Sequence, residues 1–215
     1  MSVVVLPAFE TGSLDRATHA IQAGELVIVP TDTVYGVSAS LKRPDAVERI
    51  YQAKGRQPDK PIALLVNRVE DIELVAQEIP EAARRLMDAF WPGGLTVVLQ
   101  AKSTVPAAVT AGGPTIAVRM PDHPVPRELI RRLGEPLPTT SANRSNQPSA
   151  VNVAEAVRDL GTAVSIALDA GPAPGGVESS VVDATHFPLI VYRVGAVSVE
   201  ALESVLGAAV VQPQR

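Results

Sequence analysis

Short runs rich in Val, Ile and Leu alternate along this chain with stretches of helical period, and that alternation limits its fold more than any other feature. Runs of this kind bounded by glycine or proline read as strands. Here they are Val3–Leu6, Leu26–Val29, Pro61–Val66, Thr96–Ala101, Thr115–Met120, Ser165–Asp169, Ser179–Asp183 and Leu189–Val194. Between them the pattern predicts helices over Leu14–Ala23, Pro44–Ala53, Val69–Gln77, Glu81–Phe90, Val125–Leu133, Val153–Leu160 and Val199–Leu206. Ser13, Asn152 and Ser198 stand where N-caps belong, with oxygens free to accept the orphan N–H groups of a first turn. Pro44 sits at a first helical position, where its missing N–H costs nothing. Strands interleaved with helices predict an α/β layer structure. The last strands are joined by connections too short for a crossover, so neighbours there must run antiparallel and the sheet is mixed. At 215 residues the chain suits one domain. That domain is expected over residues 1–207, with 208–215 a short tail.

Composition removes several chemistries. There is no cysteine, which excludes disulfides, thiolate catalysis and cysteine-ligated metals and is compatible with a cytoplasmic location. No apolar run reaches the roughly 18 residues of a membrane span. The start, Met1-Ser-Val-Val-Val-Leu-Pro7, has no basic leader and meets Glu10 and Asp15 early, unlike a signal peptide. Net charge is −4, and with 3 Phe, 1 Trp and 3 Tyr there is little material for a base-stacking platform. Any nucleic-acid contact must be local. The phosphate loop G-x-x-x-x-G-K-[ST], the dinucleotide fingerprint G-x-G-x-x-G and the zinc motif H-E-x-x-H are all missing. None of His19, His123 and His186 pairs visibly with a serine nucleophile. An enzyme built from this sequence works by positioning substrates and neutralising charge.

Five segments carry more polar and special-geometry residues than connection requires. Pro30-Thr-Asp-Thr-Val-Tyr-Gly36 follows an apolar strand, where α/β sheets build ligand sites, although local Asx and Ser/Thr turns explain it equally. Lys54-Gly-Arg-Gln-Pro-Asp-Lys-Pro61 presents three cations from a proline-stiffened loop suited to an anion, against the commoner fate of charges as solvated surface. Trp91-Pro-Gly-Gly-Leu-Thr96 reads as a structural plug, with Gly93 and Gly94 stopping a helix. Arg119 ends an apolar strand in Ile116-Ala-Val-Arg-Met-Pro121. It either lies on an exposed face or meets an anion, because burying it unpaired is very costly. Pro138 to Ser149 packs seven hydroxyl or amide side chains between two prolines, enough to saturate a polar ligand. Its place between a strand and a capped helix argues against a disordered linker.

In this order the segments resemble the YrdC family of threonylcarbamoyl-adenylate synthases. The matching stretches are Pro-Thr-Asp-Thr-Val-Tyr-Gly (30–36), Lys-Gly-Arg (54–56), Lys-Pro (60–61), Trp-Pro-Gly-Gly-Leu-Thr (91–96), Val-Arg-Met-Pro (118–121) and Ser-Ala-Asn-x-Ser (141–145). Glu-Ser-Ser-Val-Val-Asp (178–183) and Arg-Val-Gly (193–195) follow. The resemblance implies a single-domain, open, twisted mixed sheet flanked by helices, with a basic concave cleft. It implies synthesis of threonylcarbamoyl-AMP from L-threonine, bicarbonate and ATP with release of pyrophosphate. ATP would come with Mg²⁺, and no protein-bound metal site is expected. A downstream transferase complex would then pass the group to an adenosine beside the anticodon of tRNA, leaving room for a weak direct tRNA contact.

By the same resemblance Thr33, Arg119, Ser141 and Ser179 contact threonine. Arg56, Lys60, Thr115, Asn143 and Arg193 contact ATP, and Lys54 with Arg56 supplies catalytic charge. The sequence departs from the family pattern at Gly94, Asn146, Leu65, Val151 and Ser180. Two other readings compete. An RNA-binding or ribosome-assembly module would grip a backbone by shape. A related carbamoyl-transfer enzyme would need the cysteine-rich zinc modules of its relatives, which a cysteine-free chain lacks.

Overall fold

The computed structural model describes residues 2–211. Its strands are β1 (Val4–Pro7), β2 (Val27–Val29), β3 (Gly36–Ser38), β4 (Ala63–Leu65), β5 (Leu95–Gln100), β6 (Thr115–Arg119), β7 (Leu137–Ser141), β8 (Ile166–Asp169), β9 (Ser180–Asp183) and β10 (Ile190–Arg193). They join in one open sheet in the order β1-β8-β2-β3-β7-β4-β6-β5-β9-β10. The helices are α1 (Ser13–Gln22), α2 (Pro44–Lys54), α3 (Glu81–Phe90), α4 (Ala107–Thr110), α5 (Pro124–Leu133), α6 (Val153–Leu160) and α7 (Val199–Leu206). The sheet is mixed as expected. β9 and β10 run antiparallel, while β5 and β9, far apart in sequence, run parallel.

Period-2 alternation sorts the strand residues between two cores. Val27 and Val29 of β2 and Ile166 and Leu168 of β8 face α1 and α5, packing on Ala17, Ile21, Leu129 and Leu133. Ile28 and Ala167 point the other way, into the larger core. Val47 and Ile50 of α2, Leu86 of α3, Leu160 of α6 and Leu202 of α7 also pack there. At ~25 cal/mol per Å2 of apolar surface, these two layers supply most of the driving force. Helix α3 matches its predicted span, and Asn152 caps α6 by accepting from the Glu155 N–H at 2.9 Å. Ser198 caps α7 in the same way.

Three expectations change. The predicted helix Val69–Gln77 is a six-residue 3-10 helix, Val69–Leu74. It stops because Ala76 bridges Ala101 and the Gln77 N–H bonds to the Gln100 carbonyl, spending backbone that a longer helix would need. Ser13 is the first helical residue of α1, and left-handed Gly12 holds the cap position. Strand β3 begins at the last residue of the polar segment 30–36 and β7 runs into the segment 138–149, where no strand was predicted. Beyond Gly207, Val211 exchanges backbone bonds with Leu189 and Val191 beside β10. Residues 212–215 of the expected tail lie outside the described residues.

Candidate active site

Helices α1 and α5 cover only part of their face of the sheet. On the neighbouring part, the residues that alternate with core positions line a cavity of about 490 Å3. Leu95, Val97 and Leu99 of β5 go to the core, leaving Thr96 and Val98 for the cavity. Ile116 and Val118 of β6 go to the core, leaving Thr115, Ala117 and Arg119. Register then builds the floor: Val98 lies opposite Ala117, Leu65 beside Arg119, Ala63 beside Thr139 and Thr96 beside Val181. All ten residues assigned roles by resemblance line this one cavity: Thr33, Lys54, Arg56, Lys60, Thr115, Arg119, Ser141, Asn143, Ser179 and Arg193.

Arg119 is 6% exposed, so it does not lie on an open strand face. It meets an anion inside the protein. Nη2 donates to Asp32 at 2.6 Å, Nη1 to Thr33 Oγ1 at 2.7 Å, and Nε to the Gly93 carbonyl at 2.9 Å. Burial pushes its guanidinium downward in pKa and Asp32 opposes the shift. Thr33 Oγ1 also lies 3.1 Å from Thr31 Oγ1. One arginine therefore ties the 30–36 loop to the turn before β5.

Lys54 departs furthest from the solvated-loop reading. It ends α2 and is 3% exposed. Its Nζ donates to the carbonyls of Ser141 and Asn143, the latter at 2.6 Å, and its own carbonyl accepts from the Ser145 N–H at 2.8 Å. Desolvation lowers its pKa from 10.5 to about 8. Lys60 of the same loop is exposed, and Arg56 folds back onto the Lys60 and Pro61 carbonyls at 3.1 and 2.9 Å. The segment after β7 is an ordered turn. Asn143 Nδ2 donates to the carbonyls of Arg144 and Gln147, and Asn146 takes φ 65°, a left-handed position that Asn tolerates.

Opposite, Arg193 Nε donates to the Ser179 carbonyl at 2.9 Å, while Nη1 pairs with Glu178. Glu178 also accepts from Ser149 Oγ, linking Arg193 to the 138–149 segment. Ser179 Oγ lies 2.8 Å from Thr96 Oγ1. The hydroxyl of Ser180 serves this wall in full, accepting from the N–H groups of Gly195 and Val197 at 2.8 and 3.0 Å. Gly195 fits because it has no side chain: a Cβ would overlap the Glu178 carbonyl oxygen and sit 2.8 Å from the Ser179 carbonyl. Gly195→Ala is expected to destabilise the fold by about 1–3 kcal/mol, the usual cost of overpacking. It should also displace Ser179 and so weaken the threonine contact that the family resemblance implies for that residue. Urea unfolding and threonine titration check both, and unchanged values would show that the backbone yields freely here.

Trp91 packs against the larger core and donates Nε1 to the Leu95 carbonyl at 2.7 Å, the plug that was expected. Sequence reasoning gave no role to Thr31, Thr96, Glu178 or Tyr192, all of which line the cavity. For Thr96 a signal was present, since alternation from Leu95 puts it on the face opposite the core. Among the described residues no group of three His, Asp or Glu side chains could hold a metal ion, and no helix is long and apolar enough to cross a membrane.

Together the sheet and its cavity define an α/β protein that gathers cations and small hydroxyls over the helix-free part of a mixed sheet. The Sua5_yciO_yrdC family model, described as "Telomere recombination", matches residues 19–195. A putative threonylcarbamoyl-AMP synthase of Mycobacterium tuberculosis is 44% identical over 202 residues, covering 94% of this chain and 92% of that protein. The threonylcarbamoyl-AMP synthase of Pyrococcus abyssi is 39% identical over 197 residues, covering 92% of this chain and 58% of its own length. A crystal structure of P. abyssi Sua5 with L-threonine superimposes with a TM-score of 0.94 at 36% identity, covering 98% of this chain and 63% of that one. The chain thus spans little more than half the length of the longer relatives it matches. It belongs to the Sua5/YciO/YrdC family.

Proposed function

We propose that this chain is a threonylcarbamoyl-AMP synthase, condensing L-threonine, bicarbonate and ATP and releasing pyrophosphate. The observation that carries the reading is the convergence of all ten expected residues, drawn from six separated stretches of sequence, on one cavity. The P. abyssi structure, which holds L-threonine in a closely similar fold, supports the amino-acid half of it.

The chemistry asks for charge control. The threonine amine, once deprotonated, adds to CO2 to give a carbamate. A carbamate oxygen then bonds to the α-phosphorus as the bond to the β-phosphate oxygen breaks. Nucleophile and electrophile are both anionic, and two unit charges 4 Å apart repel by about 4 kcal/mol at an effective dielectric of 20. Lys54, Arg56, Lys60, Arg119 and Arg193 all line the cavity, whereas Asp32 and Glu178 compensate only Arg119 and Arg193. The cleft is thereby basic inside a protein of net charge −4. Mg²⁺ would enter on the triphosphate, as part of the substrate. The product is a mixed anhydride, reactive enough that an acceptor must be at hand. We assign that acceptor to a transferase complex acting on a tRNA adenosine, with the chain in the cytoplasm and residues 1–207 sufficient for the synthesis.

Purified protein is expected to release pyrophosphate from ATP only with both L-threonine and bicarbonate present, and to form threonylcarbamoyl-AMP detectable by chromatography. Equal pyrophosphate release without threonine or without bicarbonate overturns the reading.

A further inference from the structure

Tyr192 is used by nothing described so far. It lies on β10 between Val191, which is buried in the larger core, and Arg193. The register with β9 shifts between Val191 and Arg193, leaving Tyr192 without a partner across the ladder, and Tyr192 and Arg193 both line the cavity. The phenol is fixed: its O–H donates to Asp183 Oδ2 at 2.6 Å, and that bond is the main cause of its pKa being raised to about 12. Asp183 is fixed in turn. It is 3% exposed, and its Oδ1 accepts from the Thr185 N–H and Oγ1. Yet Tyr192 as a residue is 54% exposed. A large aromatic tethered at its tip and open to solvent has been oriented without being buried. Tyr35, the other aromatic lining the cavity, contrasts with it, being fully buried with its O–H on the Gly171 carbonyl.

The floor beside it is of low polarity. Asp183 pairs across to Val98, and Val98 to Ala117, so the residue that tethers the ring stands at the end of an apolar row that includes two cavity-lining residues. Arg193, the next residue, carries the charge. An apolar strip, an aromatic face and a cation side by side suit a purine joined to a phosphate chain. Stacking on an aromatic face needs no base-specific hydrogen bond. A ring held in place beforehand also loses little entropy when it is used.

We infer that Tyr192 is the nucleobase-binding residue of this cavity, its ring stacking on the purine of the nucleotide while Asp183 holds it in position. The inference rests on the nucleotide reading given above. It assigns the base, where the cationic residues account for the phosphates.

The test titrates the full chain with a non-hydrolysable ATP analogue, with inorganic tripolyphosphate and with L-threonine, in wild type, Tyr192→Ala, Tyr192→Leu and Tyr192→Phe. Tyr192→Leu keeps apolar bulk next to Val98 while removing the aromatic face, so it reports even where the alanine variant folds poorly. Loss of the ring is expected to weaken the ATP analogue about tenfold, within the usual worth of one base stack. Tripolyphosphate and threonine affinities should stay within twofold, and Tyr192→Phe, which keeps the ring but loses the bond to Asp183, should fall between wild type and the leucine variant. Unchanged analogue affinity in the leucine variant overturns the inference. So does a parallel loss of tripolyphosphate affinity, which would mean that Tyr192 only supports Arg193. If wild type binds no analogue, the nucleotide reading itself falls, and that outcome is visible before any variant is made.

Discussion

Replacing Lys54 with alanine or methionine is expected to lower turnover about a hundredfold, on the order of one lost charge-assisted contact in a transition state. The reason is more than the loss of a cation from the cavity. The ammonium holds the Ser141 and Asn143 carbonyls, and both residues line the cavity. Without it two carbonyls lose a charged donor, and the turn at 143–147 keeps the Asn143 amide bonds, the Lys54 backbone bond and the Gln147 N–H on the Arg144 carbonyl. Wild-type pH dependence should carry the same signature. With the folded pKa near 8 and the unfolded one near 10.5, the unfolded chain binds more protons between those values. This group's contribution to stability therefore rises with pH across that window. The clamp behaves oppositely, because a neutral amine donates more weakly. Turnover is expected to decline as pH passes 8 in wild type, and the residual activity of Lys54→Met should lack that step. A pH profile of both proteins, with circular dichroism to confirm folding, checks it. Near-normal turnover in Lys54→Met returns the residue to a packing role.

The sheet order was beyond the sequence, but the elements that matter were legible wherever local signals agree with packing. Asn152 and Ser198 announced their helices because cap chemistry is local. Val3–Leu6 and Ser165–Asp169 announced strands because they are apolar and bounded. What escaped was decided by distant contacts. β7 reads Leu-Pro-Thr-Thr-Ser, a poor strand by composition. It becomes one because β3 and β4 lie on either side of it. The same holds for the charges. Lys54 and Arg56 look alike on paper, two cations on a stiff loop. One ends a helix facing two carbonyls and is buried, while the other stays partly open. Nothing within ten residues of Lys54 could reveal that its partners lie near position 141. Arg119 illustrates the limit from the other side, since the sequence left an exposed face and an anion as open readings and did not indicate Asp32 as the partner.

Arg119→Lys should separate the two halves of the cavity. We assign Arg119 and Thr33 to the threonine end, and Arg119 already orients Thr33 through a 2.7 Å bond. A lysine at 119 keeps the charge but loses the planar fork. It cannot reach Asp32, Thr33 and the Gly93 carbonyl together, so the 30–36 loop loses at least one anchor. A neutral substitute would cost more, since removing one partner of a buried pair is worth ~3–5 kcal/mol. Asp32, with 14% side-chain exposure, would recover some of that through water. Threonine affinity is therefore expected to fall at least tenfold in Arg119→Lys, with the ATP analogue changed less than threefold. Asn143→Ala should do the reverse. Its amide holds the Arg144 and Gln147 carbonyls, and loosening that turn disturbs the wall assigned to the nucleotide while Thr33, Arg119 and Ser179 stay in place. Calorimetric titration of both variants with threonine and with the analogue decides the matter. Loss of analogue affinity with threonine affinity retained in Arg119→Lys would reverse the assignment of the two ends, and the synthase reading would survive with its substrates exchanged.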